Sequence, residues 1–276
     1  MAGQLFREVV RLLAACRPRA FLLENVPGLV SAGGGCRPSG TGPDRHERGA
    51  ACAAGSALSA IVRALEDAGY EVGWRLIDAR HWVAQARERL FLWGHRSDLG
   101  LARGALDGRI ERCVAAQVAR AAAPRLREAL EPPGGEAVAR AALSAEQWAR
   151  INSEAFRRKS NRHTVEARLI PPDGVAPTLT AGYHTSSSFS SKYVGEEADG
   201  TRRETPRFLT PREVARLMGF PDSFRLPAEP EATVVGTATA SGSGLANGAY
   251  RQLGNAIVPP VVRALAEQIL LAIDSI

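Results

Sequence analysis

The sequence predicts an α/β fold with a smaller region attached. A short unbroken apolar run, Ala20-Phe21-Leu22-Leu23, ends in the polar pair Glu24-Asn25; amphipathic stretches of helical length lie on both sides of it; and two further apolar runs follow across a turn. With 276 residues the chain is long enough to bury one well-packed α/β domain.

Residues 3–15 set Leu5, Val9, Leu12 and Leu13 at helical spacing with Arg7, Glu8 and Arg11 between them, a surface helix ended by Pro18. The run 20–23 has the pattern of a buried parallel strand. It delivers Glu24-Asn25-Val26-Pro27-Gly28 to the strand end, where open α/β sheets bind ligands. Residues 31–55, rich in Gly, Pro, Arg and Asp and without periodicity, are expected to form a mobile loop. A helix over 56–68 carries Leu58, Ile61, Val62 and Leu65 on one face and stops at Gly69. Strands are expected around 71–78 and 90–94, with Ala84 to Arg89 leading into the second.

Residues 98–160 turn rich in Ala, Arg and Glu and are expected to be helical, with a break at Pro132-Pro133-Gly134-Gly135; residues 161–205 read as irregular and solvent-facing. Thr210-Pro211-Arg212-Glu213 combines a good N-cap, a proline in the first helical position and the glutamate of a capping box, and the helix it opens ends at Gly219. A last helix covers about 260–272, and no internal repeat is present. The expected regions are 1–97, a partial α/β region; 98–205, a recognition region; and 206–276, a linking helix and return.

Apolar residues at 45% and charged residues at 23% exclude a disordered chain. No run of about 18 apolar residues occurs and charge lies close to Met1, so neither a membrane nor a secretory segment is expected and the protein should be cytoplasmic. A net charge of +6 and a pI near 9.6 favour an anionic partner such as nucleic acid. Cys16, Cys36, Cys52 and Cys113 lack the paired spacing of a zinc site, the histidines lack ligand spacing, and no metal is expected. Gly33-Gly34-Gly35 and Gly242-Ser243-Gly244 fall short of a dinucleotide cradle.

Three groups of residues could carry chemistry. Glu24 and Asn25 can accept and donate hydrogen bonds along the edge of a planar heterocycle, or simply satisfy a strand-end turn. Gln85, Arg87 and Arg89 precede a buried run; alternation lets Arg87 and Arg89 face one negative or carbonyl-bearing group, or they are merely exposed. Thr178-Leu179-Thr180, held between Pro177 and Gly182, could reach base edges or be a structural turn, and the nearby Lys192, Arg202 and Arg203 fit phosphate contacts or a solvated loop.

In order along the chain, these residues resemble the sequence blocks of the cytosine-5 DNA methyltransferases. PRAFLLENVPGL resembles the Glu-Asn-Val block, and YEVGWRLIDARHWVAQARERLFLWGHR the Gln-x-Arg-x-Arg block. DGVAPTLTAGY resembles the Thr-Leu recognition element, RFLTPREVARLMGFPDSF the joining helix, and YRQLGNAIVPPVV the last block. The resemblance implies a Rossmann-like class I methyltransferase sheet, here partial, with a smaller target-recognition region. It further implies a double-stranded DNA partner, a cytosine flipped from the duplex, and methyl transfer from S-adenosylmethionine to C5. By the same carry-over Glu24 would hold the cytosine at N3 and the amine, supported by Asn25. Arg89 would contact O2 and Arg87 would organise the pocket; Gly254 and Asn255 would lie against the cofactor, and Thr178, Leu179 and Thr180 against the DNA.

No Pro-Pro-Cys or Pro-Cys-Gln occurs, and the glycine-rich cofactor block is not found. The sequence is therefore expected to be the C-terminal portion of such an enzyme, inactive alone, with Ala20 to Leu23 as an exposed edge strand. A complementary polypeptide carrying the N-terminal blocks is expected as a partner. The alternative is a catalytically inactive DNA-binding or regulatory subunit. In place of the family's Gly-Val-Pro-Gln stands Trp82-Val83-Ala84-Gln85, and the link from Pro227 to Gly248 is long.

Overall fold

The computed structural model describes residues 2–34, 54–120, 124–154, 168–183, 192–227 and 246–276. The expected loop 31–55 and the glycines at 242–244 fall largely or wholly outside the described residues. Contacts divide the chain into two compact units: Met1–Asp78 with Glu88–Arg120 and Val261–Ile276, and Ala79–Arg87 with Ala121–Pro260. Each unit is assembled from separated stretches of the chain.

The first unit contains α1 (Ala2–Cys16), β1 (Ala20–Asn25), α2 (Gly28–Ser31), α3 (Ser56–Asp67), β2 (Tyr70–Asp78), β3 (Glu88–Arg96) and α4 (Ala105–Val118). Most of the last helix, α10 (Pro259–Ile273), also belongs to it. Its sheet has the order β1-β3-β2, and β3 is antiparallel to both neighbours. The two outer strands therefore run the same way without touching, and every bonded pair in this small sheet is antiparallel; with its flanking helices it is consistent with part of a Rossmann-like class I methyltransferase. The expectation of a parallel pairing for residues 20–23 is corrected here. An unbroken apolar run reports burial on both faces and is silent on the direction of the neighbour.

Phe21, Leu58, Leu65, Tyr70, Leu90 and Leu92 form the centre of this unit's core. Tyr70 meets the Phe21 ring edge-on at 5.3 Å, and its hydroxyl donates to the Pro18 carbonyl at 3.0 Å. Gly94 makes room for that pair: a Cβ there would come within 2.5 Å of the Phe21 ring. Helix α1 differs in rotation from the sequence reading. Its inward stripe is Phe6, Val9, Val10 and Leu13, while Leu5 and Leu12 are 75% and 50% exposed. The spacing i, i+3, i+4, i+7 of the observed stripe is the wider helical face. Gly69, with φ of 90°, ends α3 as its position predicts.

The second unit contains α5 (Leu126–Ala129), α6 (Glu136–Arg140), α7 (Ala145–Asn152), β4 (Val194–Glu196), β5 (Arg202–Arg207), α8 (Pro211–Leu217) and α9 (Ala246–Asn255). β4 and β5 form an antiparallel ribbon. Leu126, Ile151, Tyr193, Phe208, Leu209 and Leu217 are among the residues that fill its core. The capping box at Thr210 is present in full, with Glu213 and Thr210 bonding each other's backbone N–H groups. The stretch Gly248–Ile273 is long and apolar enough to cross a membrane by length and composition. It is interrupted between α9 and α10 and buries Tyr250 and Leu253 on one side of the break and Val261, Leu265 and Ile269 on the other, as core helices do.

One feature of the second unit has no counterpart in the sequence reading. Arg207 is fully buried and bonds Glu197 at 2.7 Å and Glu213 at 2.8 Å. Arg203 also bonds Glu197 at 2.7 Å, so this arginine, expected at phosphates, holds the ribbon together. Arg202, 88% exposed at its side chain, lies 3.5 Å from the Glu196 carboxylate.

Candidate active site

Two sets of candidate residues come together, one in each unit. In the first, β1 and β3 place Glu24 opposite Phe91, and Arg89 lies two residues along β3 on the same face of the sheet. This diagonal relation brings Arg89 Nε to 3.0 Å from Glu24 Oε1, with side-chain exposures of 16% and 25%. Burial pulls the Arg89 guanidinium below its ordinary pKa, and the Glu24 carboxylate restores part of the difference. A second arm of Arg89, Nη1, donates to the Glu88 carbonyl at 2.7 Å and fixes the plane of the group. Carboxylate and guanidinium thus form one half-exposed edge at the C-terminal end of β1, an acceptor beside a set of donors. Asn25 is exposed, and its Oδ1 accepts from the Val26 N–H at 2.8 Å. It closes the strand-end turn that sequence reading kept open as an alternative to recognition.

Arg87 goes elsewhere. Only 2% exposed, it donates through Nη2 to the Gly254 and Ala256 carbonyls at 2.8 and 2.6 Å, and through Nη1 to the Leu179 carbonyl at 3.3 Å. The expectation that Arg87 and Arg89 face one shared group is corrected: one engages backbone carbonyls of the second unit, the other a carboxylate of the first. Alternation failed because Arg87 precedes the first residue of β3, outside regular strand geometry.

The segment 178–180 alternates as an extended chain does. Thr178 and Thr180 are exposed, while Leu179 is 3% exposed and belongs to the core. Leu179 as a side-chain contact to DNA is therefore corrected to an anchor beneath the two threonines. Thr178 Oγ1 donates to the Ala86 carbonyl at 2.7 Å, which ties this segment to the loop carrying Arg87. Gly254 is buried at the end of α9, where a Cβ would come within 2.4 Å of the Ala181 nitrogen. Its lack of a side chain lets the helix approach the 180–181 backbone. Asn255 beside it is exposed.

Gln85 is fully buried, and neither its Oε1 nor its Nε2 has a hydrogen-bond partner among the described residues. The flanking backbone is bonded to residue 176 from both sides, Ala86 N–H to the Ala176 carbonyl at 2.7 Å and Ala176 N–H to the Ala84 carbonyl at 2.8 Å. Cys16 ends α1 and is exposed; Cys113 lies within α4, where burial first and Glu267 second push its thiol pKa up, away from nucleophilic behaviour. Cys36 and Cys52 lie outside the described residues.

The C-5 cytosine-specific DNA methylase family model matches residues 1–271. The chain belongs to this family. It is 28% identical over 276 residues to the type II methyltransferase M.NlaX of Neisseria lactamica, covering 99% of this chain and 70% of that one. It is 29% identical over 286 residues to the DNA-cytosine methyltransferase of Escherichia coli K12, covering 96% of this chain and 52% of the relative. The chain thus spans about half to two thirds of the length of most of these curated relatives. In fold it is similar to S. pombe Dnmt2 methyltransferase, with a TM-score of 0.64 at 17% identity, covering 99% of this chain and 73% of that one. A putative DNA modification methyltransferase encoded within an E. coli prophage gives a TM-score of 0.55 at 18% identity, covering 99% and 74%.

These matches support the family, the fold class and S-adenosylmethionine as the family's cofactor. They overturn one expectation. The match is not confined to a C-terminal portion of the family, since it covers nearly the whole chain. Two short motifs carry little weight beside a family match, which integrates the pattern of every position. The complementary polypeptide depended on that reading and goes with it.

Proposed function

We propose that this chain acts in S-adenosylmethionine-dependent methylation of DNA at cytosine C5, and that Glu24 with Arg89 holds the target cytosine. The observation that carries the reading is the Glu24–Arg89 pair itself, 3.0 Å apart on a half-exposed strand end. Cytosine presents an amine donor, a ring nitrogen and a carbonyl acceptor along one edge. A glutamate beside an arginine is the complement of that edge: the carboxyl takes the amine and, when protonated, donates to N3, while the guanidinium donates to O2. Donation to N3 withdraws electrons from the ring and favours attack at C6. In the free protein the two groups satisfy each other, so neither is left bare while the site waits.

Asn25 holds the turn behind Glu24, and Arg87 positions the segments of the second unit. Thr178 and Thr180 face the DNA, with Leu179 as their anchor. The exposed carboxamide of Asn255 fits a polar group of S-adenosylmethionine, which supplies the methyl group when bound; Gly254 serves packing. The excess of basic residues, 35 against 29 acidic, supports duplex binding through phosphates.

Base flipping tests this reading. Duplexes selected by the full chain from a random-sequence pool, in the presence of S-adenosylhomocysteine, are remade with a mismatch at each position in turn. One cytosine should stand out, its mispaired form binding on the order of tenfold tighter because less pairing energy is lost on extrusion. Uniform weakening by every mismatch would contradict the reading.

A further inference from the structure

We infer that Arg87 couples cofactor binding to DNA binding in this chain. The inference rests on the proposed roles of Asn255 and of Thr178 and Thr180. Its physical basis is the bridge that one guanidinium makes between the two segments carrying them. Nη1 reaches the Leu179 carbonyl at 3.3 Å, in the threonine segment, and Nη2 reaches Gly254 and Ala256 at 2.8 and 2.6 Å, on either side of Asn255.

Several features make this a two-way connection. The carbonyls at the end of α9 lack helical partners and carry the negative end of the helix dipole, so a buried cation there is well placed. The same helix end is in close backbone approach to the threonine segment, since a Cβ on Gly254 would come within 2.4 Å of Ala181 N. Thr178 Oγ1 closes the arrangement by donating to the Ala86 carbonyl at 2.7 Å, one residue before Arg87. A ligand that displaces the backbone around Asn255 moves carbonyls that Arg87 holds, and Arg87 passes the displacement to the carbonyl between the two threonines. The planar fork of arginine is what spans these acceptors; a lysine ammonium is a point charge and cannot reproduce the geometry.

Coupling of this kind is reciprocal: if S-adenosylhomocysteine tightens DNA binding by some factor, DNA tightens S-adenosylhomocysteine binding by the same factor. The test measures that factor with the full chain by titrating each ligand with and without the other, using a duplex selected as above. The wild type should give a factor on the order of tenfold, equal in both directions. In Arg87→Lys the factor should fall to about one, whatever the substitution does to either ligand alone. A factor that survives in Arg87→Lys would overturn the inference while leaving the proposed function intact. Failure of the wild type to bind either ligand would remove both. Hydrogen exchange on the wild type guards against a variant that does not fold: S-adenosylhomocysteine alone should slow exchange at the amides of residues 179–181, and unchanged exchange there would overturn the coupling.

Discussion

Arg89 Nε and Glu24 Oε1 lie 3.0 Å apart across the β1–β3 pair, and the Glu24 carboxylate offsets part of what burial takes from the Arg89 guanidinium. Removing the carboxylate leaves a half-buried guanidinium without its counter-charge. Glu24→Ala should lower stability by about 1–3 kcal/mol, and Glu24→Gln by less, because an amide oxygen still accepts from arginine. Urea midpoints of the two variants measure this; equal losses would show that the charge contributes nothing.

Arg207 holds Glu197 and Glu213 in the core of the second unit, and Arg207→Met would take the arginine from buried Glu213 and leave Glu197 with Arg203 alone. The expected cost is about 3–5 kcal/mol. Burial alone would raise the Glu197 pKa; hydrogen bonds from Arg207 and Arg203 and their charges more than offset it, and the carboxyl lies below its ordinary 4.5. A depressed carboxyl contributes stability that is present above the unfolded-state value and lost as pH falls through the folded one. Wild-type stability should therefore drop as pH falls below about 4.5. In Arg207→Met this drop should shrink, since Glu197 keeps only Arg203 as its counter-charge. Unfolding midpoints between pH 3 and 7, about the usual carboxylate range, would check it.

Gly254 packs against the 180–181 backbone with no room for a methyl group. Gly254→Ala should cost about 1–3 kcal/mol through forced displacement, and DNA affinity should fall with it because Thr180 moves. An unchanged melting temperature would mean that α9 does not sit against this segment in solution.

Gln85 keeps a carboxamide in the core without a partner for either end among the described residues. Replacing it by leucine removes two unsatisfied groups and keeps similar bulk. Gln85→Leu should therefore raise stability by about 1 kcal/mol, measured by thermal unfolding. A loss of similar size would show that the amide is bonded in solution.

Much of the fold was legible because it depends on local signals. Gly69 stops α3 by its backbone freedom, and Thr210 opens α8 with a capping box that needs only four consecutive residues. The polar end of β1 could be read because an apolar run stops at Glu24. What could not be read depends on distant partners. Arg87 bonds carbonyls 92 and 167 residues away, and a backbone carbonyl leaves no mark on the sequence. Arg207, Glu197 and Glu213 look like ordinary surface charges until β5 and α8 fold onto each other. The rotation of α1 is not legible because Leu5 and Leu12 compete with Phe6 and Val10 for the inward stripe, and only packing decides between them. Within the candidate site, the identities of Glu24 and Arg89 were legible and the separate fate of Arg87 was not.

The most direct test of Glu24 and Arg89 as the cytosine-holding pair removes one group from the base and one from the protein. In the selected duplex the target cytosine is replaced by 2-pyrimidinone, which keeps O2 and N3 and lacks the 4-amino group that Glu24 would accept from. Losing the amine also weakens pairing and eases extrusion equally for both proteins, so the contact is read from their difference: Glu24→Ala should gain affinity on this replacement, and the wild type should fall short of that gain by on the order of tenfold. An equal change in the two proteins would mean that Glu24 does not meet the cytosine amine, and the account of the site would fail.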